Sequence, residues 1–488
     1  MKNEDFYGKG GQKATQRKII SSALSVLVIC NLISCTPGKS RVPELVWTVP
    51  GQRVKQFDKV ESKINEITMK KLGFKVKFEF FDRNDYNMRV NSKIELGENV
   101  DLSFTGYIDD YKAKVYDDRL MVLNELLEYT PKLKERIPEY FWRGSEINGK
   151  IYAVPHQQIA AASTAMVISK PLADMYGFDV STVKSAKDIE PFLKKIKENE
   201  TGIYPIRMNW GLNGISSLDS NEFYEGSYAG VYIKYDNGKI TLPLVTEDKS
   251  KTEAAEMIYD WYQKGYIRQD IAIANDSVSE LAEGKYGVWF EQYKPGIENQ
   301  RKILTGNDVY AVQISKPYIS SGSVQSAMTG ICKDSKYALE AIRLLELVNT
   351  EPEILNLITY GIENENYKKL SDGVIERIGS GYAYQAWIFG NQFLVYTDNE
   401  ADKDLWEQTR TINESAIKSP LIGFTPETSG LAMEITKCNE IMGRYSAMNN
   451  GTENPKDYWE GLDKELRESG AETIRRELEN QINKFFDK

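Results

Sequence analysis

Asn148-Gly149-Lys150-Ile151-Tyr152-Ala153-Val154-Pro155 reads as a turn followed by a short apolar strand. Asn-Gly opens it, and Pro155 closes it because proline cannot donate to a sheet ladder. Strand and helix signals alternate on the N-terminal side of this stretch, and a second such series follows it. The stretch is therefore read as the first crossing between two lobes, with the space between the lobes as the working site.

Toward the N-terminus, Glu44-Leu45-Val46-Trp47-Thr48-Val49 is an apolar run between prolines, the mark of a buried strand. Phe57, Val60, Ile64, Ile67 and Leu72 recur at helical spacing, and Gly73 ends that helix. Residues 74–81 alternate apolar and charged residues as a strand does. A helix over 84–96 closes at Gly97, and Leu102-Ser103-Phe104-Thr105 is the next strand. This alternation predicts an α/β domain on a parallel sheet with right-handed crossovers. Ligands of such sheets gather beyond the C-terminal strand ends, where Trp47, Thr105, Gly106 and Tyr107 would project.

Toward the C-terminus, 165–169 reads as a strand and 185–197 as an amphipathic helix. Residues 202–237 read as loop-rich and carry Trp210. A strong helix spans 252–265, and Gly284-Lys285-Tyr286-Gly287-Val288-Trp289-Phe290 is a turn and strand, read as the chain's return to the first lobe. Residues 310–314 form a further strand, helices follow at 337–349 and 352–359, and 382–396 is dense in aromatics. From 427 the tail is charged and helical, packed on the outside.

The N-terminus carries an export signal. Lys13, Arg17 and Lys18 precede an apolar run over 19–34, shorter than the roughly 20 residues of a membrane helix. The run ends in Leu32-Ile33-Ser34-Cys35, which resembles a bacterial lipobox with Cys35 as the lipidated residue. Cys30 fits less well, because bulky Ile29 precedes it. Cys332 and Cys438 stand alone in the body; two buried free thiols are expected, with a disulfide as the alternative.

Bulk composition narrows the function. The 488 residues carry a net charge of −9, whereas a nucleic-acid partner calls for a basic footprint. There are 29 tyrosines and 8 tryptophans beside one histidine, His156, a balance suited to carbohydrate or peptide surfaces. One histidine precludes a two-histidine metal site and makes a Ser-His-Asp triad depend on His156 alone. No HExxH, GxSxG or CxxC motif occurs, and no cofactor or metal is expected. Gly144-Ser145-Glu146-Ile147-Asn148-Gly149-Lys150 imitates a P-loop, but Ile151 replaces the Mg²⁺-binding hydroxyl and the segment leads into a strand. Paired carboxylates for glycoside hydrolysis remain open, since no local pattern selects two of the 71 acidic residues.

Several motifs, each weak alone, occur here in a known order: the lipobox at Cys35, Gly97-Glu98-Asn99-Val100-Asp101-Leu102, Gly149 to Pro155, Gly284-Lys285-Tyr286-Gly287, and Tyr360-Gly361-Ile362-Glu363. Trp387 with Gly390-Asn391-Gln392-Phe393 continues the series. Together they resemble the extracellular solute-binding lipoproteins of ABC importers, family 1, in the large Gram-positive subgroup. The segment from Gly423-Phe424 onward resembles that subgroup's C-terminal extension.

The resemblance implies a two-lobe periplasmic-binding-protein-like fold (type II), with a hinge between the lobes. The corresponding division is 1–34 signal peptide, 35–43 tether, 44–155 plus about 287–320 lobe 1, 156–286 plus about 321–420 lobe 2, and 421–488 a helical extension. It implies a monomer held by lipid on the extracytoplasmic face of the cell membrane. Such a protein captures a solute, an oligosaccharide before a peptide or other polar solute, and passes it to ABC permease subunits without catalysis. A secreted carbohydrate-active enzyme is the alternative from another class, and an adhesin or sensor subunit is a third. The expected ligand contacts are Trp47, Thr105, Tyr107, Gln157, Trp210, Trp289, Glu291, Tyr360 and Trp387, since rings can stack on sugar faces and short polar groups can bond hydroxyls. The competing reading of each aromatic is core packing, Asp101 is expected at a helix end or the surface, and His156 is either a ligand contact or a satisfied interior histidine.

Overall fold

Two sheets with separate cores carry the chain. The computed structural model describes residues 42–216, 223–236, 238–274, 278–379 and 381–487; the leader and Cys35 lie outside them. In the first sheet, Glu44–Pro50 runs parallel to Lys75–Phe81 on one side and Leu102–Gly106 on the other. Antiparallel Ala327–Ile331 follows, and then Ala153–Pro155 at the edge. The helices Phe57–Lys71 and Tyr86–Glu95 supply the crossovers. Trp47 lies inside this core, stacked on Phe78 at 5.4 Å and meeting Phe389 edge-on. Asp101 is buried too: it accepts the Val46 N–H at 2.8 Å and the Ser335 hydroxyl at 2.6 Å, tying the first strand to the end of the fourth.

The second sheet has the order Val309–Gln313, Thr164–Ser169, Tyr286–Gln292, Tyr204–Ile206. Its core draws on Phe192, Trp261 and Phe290, and on Cys438, Leu462, Leu466, Ile474 and Leu478 of the C-terminal helices. Ala432–Arg444, Pro455–Glu468 and Ala471–Phe486 thus complete the second core instead of merely covering it.

The expected division of the chain is corrected at two places. Tyr286–Gln292 does not return to the first sheet; it pairs antiparallel with Thr164–Ser169 and parallel with Tyr204–Ile206. A turn–strand signal carries no address, and pairing is decided by which apolar face meets which core. Gly287 is needed where the helix Glu190–Asn199 presses on the sheet: a Cβ there would sit 2.5 Å from Ile196 Cδ1. The chain returns later, over 314–318, so 319–416 belongs with the first core and not the second; the helices Ala338–Thr350 and Pro352–Tyr360 pack there. Residues 202–237, read as loop-rich, hold the helix Gly211–Ser216 and a hairpin of Phe223–Tyr228 with Val231–Asp236. Ala229 and Gly230 form its turn at φ 52° and 91°, both in the left-handed region that two-residue hairpins favour.

Three segments cross between the sheets: 156–163, 314–318 and 416–422. Ala162 bridges Tyr318, and Tyr318–Ile319 pairs in parallel with Ile417–Lys418. Neighbouring ribbons of this kind let two bodies pivot while keeping their backbone groups paired. Cys332 and Cys438 are free and buried, one in each core. The P-loop imitation is a hairpin: Asn148 and Gly149 both take positive φ between Glu146–Ile147 and Lys150–Ile151.

Candidate functional site

A cleft of about 650 Å³ opens at the crossings between the two sheets. Tyr107, Ser323, Ser326 and Trp387 line it from the first body. Trp210, Phe223, Tyr224 and Gln292 line it from the second, and Gln158, Ser163, Ser315, Lys316 and Tyr318 from the crossing segments. Its chemistry is aromatic faces separated by short hydroxyl and amide side chains.

Two aromatic platforms form the walls. On the first body, Tyr107 and Trp387 meet at 5.7 Å. Tyr107 is 62% exposed and sits in a turn where Gly106 and Asp109 exchange backbone hydrogen bonds while the Tyr107 N–H donates to Ser326 O at 3.0 Å. Gly106 is required there: its φ is 150°, and a Cβ would strike the Ser326 carbonyl. Trp387 has Arg83 5.8 Å above its ring and Phe104 against its edge. On the other wall, Phe223 lies flat on Tyr318 at 4.2 Å and 9°. The Tyr318 hydroxyl and the Ser419 hydroxyl both donate to Glu225. Burial raises the Glu225 carboxyl above its usual range despite those donors.

The expected contacts divide. Tyr107, Trp210 and Trp387 meet at the cleft; the other six lie elsewhere and are corrected. Trp47 is core. Thr105 is buried, its hydroxyl donating to Asp109 O at 3.3 Å. Gln157 faces a separate cavity of about 190 Å³ beside Arg136 and Arg410. Trp289 is buried and donates to Glu291 at 2.6 Å, while Glu291 is ion-paired with Arg301 at 2.6 Å. Tyr360 is buried and donates to Tyr396 O beneath Arg377. The misplacement of Trp289 and Glu291 is one of parity. On a strand of period two, Phe290 and Gln292 face the helix-bearing core and the cleft, and their neighbours face away. Phe223, Tyr224 and Tyr318 were missed. The signal for Tyr318 was Lys316-Pro317-Tyr318 beside the run of serines at 320, 321 and 323, a proline-rigidified crossing with small polar neighbours.

His156 is a satisfied interior residue. Nδ1–H donates to the Trp387 carbonyl at 2.7 Å, and Nε2 accepts from Thr329 Oγ1 at 2.9 Å. Burial lowers its pKa to about 4, so it is neutral at pH 7 and acts by holding the backbone of a cleft tryptophan. The folded state disfavours the proton that the unfolded chain accepts near 6.5. Stability from this group is therefore complete above that pH and is lost as pH falls toward 4. At pH 5 the expected loss is about 2 kcal/mol relative to pH 7.5. Thermal unfolding of wild type and His156→Gln across that range measures it, as the difference in pH dependence between the two.

Comparison with known proteins follows the same outline. A family model described as a domain of unknown function, DUF3502, matches residues 420–487. A Streptococcus pneumoniae protein described as a carbohydrate ABC transporter substrate-binding protein is 27% identical over 451 residues, 89% of each chain. The crystal structure of the N-glycan transport solute binding protein NgtS from Streptococcus pneumoniae superposes with a TM-score of 0.83 at 24% identity, over 91% of this chain and 99% of that one. For NgtS in complex with Man5GlcNAc the TM-score is 0.70 at 25% identity, with the same coverage. The chain thus has the two-lobe solute-binding fold.

Proposed function

We infer that this chain, an extracellular solute-binding protein of the carbohydrate ABC-importer kind, captures an oligosaccharide between its two bodies and presents it to a membrane permease. The observation that carries the reading is the cleft itself: aromatic platforms from both bodies, hydroxyl and amide side chains between them, and two of the crossing segments in its lining. Flat rings meet the apolar faces of pyranoses, and the polar groups meet their edges. Closure about such a ligand needs contacts made only in the closed state, which facing platforms on two bodies provide. Glycan transport by NgtS and the carbohydrate description of the pneumococcal relative support the sugar class.

The protein acts without catalysis on this reading. No carboxylate lines the cleft among the described residues, whereas glycoside hydrolysis places two across the scissile bond. Placement is extracytoplasmic, with lipid on Cys35 as the anchor and a single chain as the working unit. No helix among the described residues is long and apolar enough to cross a membrane.

A thermal-shift screen with glycans, starting from Man1GlcNAc and Man5GlcNAc, tests the function. A glycan bound at 100-fold over its Kd should stabilise the fold by about 2.7 kcal/mol and be recovered intact after long incubation. Release of a shorter product would overturn the reading, as would stabilisation by peptides alone. For the anchor, Cys35→Ser should move the protein from the membrane fraction to the medium and abolish incorporation of labelled palmitate.

A further inference from the structure

Trp210 belongs to two cavities. One is the cleft; the other is a shallow depression of about 600 Å³ lined by Met208, Asn209, Trp210, Gly211, Asn213 and Asn449. The indole is therefore a partition with a ligand-sized space on each side, and it is 37% exposed. Its Nε1–H has no partner among the described residues.

The far side of the depression comes from a distant part of the chain. Asn449 lies in the turn Ser446–Asn449, between the first two helices of the C-terminal segment, within the region that the DUF3502 model matches. That turn is seated tightly: a Cβ on Gly211 would lie 3.0 Å from both Asn449 Cβ and Oδ1. Asn449 Oδ1 accepts from the Leu212 N–H at 3.4 Å, while Nδ2 has no partner among the described residues. The other amides are held in place. Asn209 Nδ2 donates to Phe290 O at 2.8 Å, and Asn213 Oδ1 accepts from Lys251 Nζ at 2.8 Å. These amides around an indole edge form a surface for hydroxyl groups, and two of its donors, Trp210 Nε1–H and Asn449 Nδ2, are unspent among the described residues. Fixed donors bind without further ordering cost.

We propose that this depression is a distal sugar subsite, and that the C-terminal segment, through Asn449, makes the protein select longer glycans. The proposal rests on the oligosaccharide reading above. A short glycan fills the cleft and stops at the near face of Trp210. A longer one passes the indole edge and places its next sugar between Trp210 and Asn449, taking the Nδ2 donor. The C-terminal segment then has two roles, completing the second core and measuring chain length.

Isothermal titration with Man1GlcNAc and Man5GlcNAc on wild type, Asn449→Asp and Trp210→Ala tests this. Asn449→Asp keeps an oxygen for the Leu212 N–H and replaces the amide donor with a charged acceptor; because Asn449 is exposed, that charge stays solvated and ligand-free melting should stay near the wild-type value. The wild type should bind Man5GlcNAc more tightly than Man1GlcNAc. Asn449→Asp should weaken Man5GlcNAc by about tenfold, the loss expected for one hydrogen bond to a buried ligand group, and leave Man1GlcNAc unmoved. Trp210→Ala, which alters both cavities, should weaken both glycans. Equal effects of Asn449→Asp on the two glycans, or none on either, would overturn the proposal while leaving the oligosaccharide reading standing. Failure of both glycans to bind wild type would remove the reading on which the proposal depends.

Discussion

Lys114→Met should cost the fold about 3–5 kcal/mol, the loss expected when one member of a buried ion pair is removed. Lys114 and Asp109 form a salt bridge with side-chain exposures of 2% and 0%. Lys114 reaches Ser103 Oγ at 3.4 Å, and among the described residues neither Asp109 carboxylate oxygen has a hydrogen-bond partner apart from that ion pair. Burial outweighs the attraction of Lys114 and holds the Asp109 carboxyl above its usual range. Deleting the ammonium leaves a carboxyl in the core that must ionise without a counter-charge or take up a proton. The replacement methionine nearly matches the lysine stem in volume, so the loss reads charge and not a cavity. The double variant Lys114→Met with Asp109→Asn should recover most of it, because two neutral groups avoid the desolvation of an isolated charge. Denaturant unfolding of wild type, the single variant and the double variant measures this. A single-variant loss below 1 kcal/mol would mean that water reaches the pair.

The pair matters beyond stability because of where Asp109 sits. Its backbone closes the turn that presents Tyr107 to the cleft, through Gly106 N–H to Asp109 O at 2.9 Å and the return bond at 3.1 Å. A buried charge is thus used to fix an exposed aromatic. Nothing local in the sequence announces this. Asp109 and Lys114 look like ordinary surface residues in Ile108-Asp109-Asp110-Tyr111-Lys112-Ala113-Lys114, where the helix Tyr111–Tyr116 turns Lys114 inward and leaves Lys112 half-buried and Ala113 exposed.

The first sheet was readable because its first three strands are apolar or strictly alternating and its crossovers end at glycines with positive φ, Gly73 and Gly97. Period and punctuation suffice for such a unit. The long-range choices were not readable. Ala327–Ile331 and Tyr286–Gln292 are both short apolar strands, and only the finished cores separate them, Met328 facing Pro155 in one and Val288 facing Ile168 in the other. Site residues followed the same division. Tyr107 and Trp387, named from their position after a strand and in an aromatic-rich turn, line the cleft. Trp47 and Tyr360 offered the same residue types and are core, because ring chemistry does not distinguish a sugar from a phenylalanine as the stacking partner. Asp101, expected at a helix end or the surface, is buried, and its two hydrogen bonds give the Gly97–Leu102 motif its structural sense.

Trp387→Ala should weaken the preferred glycan by about 100-fold or more, the cost of removing a central aromatic hot spot, about 2–4 kcal/mol. The ring is preorganised. Its backbone carbonyl is held by His156 at 2.7 Å, and its ring is flanked by Arg83 at 5.8 Å, Phe104 at 6.1 Å and Tyr107 at 5.7 Å. Because it is already fixed, a sugar that stacks on it loses little side-chain entropy, and most of the contact energy appears as affinity. Trp387→Phe keeps a π face of smaller area and should lose about tenfold or less. Trp47→Ala is the informative control. Its indole lies between Phe78 and Phe389, so truncation should cost about 3–5 kcal/mol of stability and change affinity only so far as the fold is lost. Titration calorimetry beside denaturant unfolding separates the two: Trp387→Ala moves the first coordinate far more than the second, and Trp47→Ala does the reverse. Wild-type affinity in Trp387→Ala would place the sugar on the Phe223–Tyr318 wall alone and remove the facing platforms as the reason for closure.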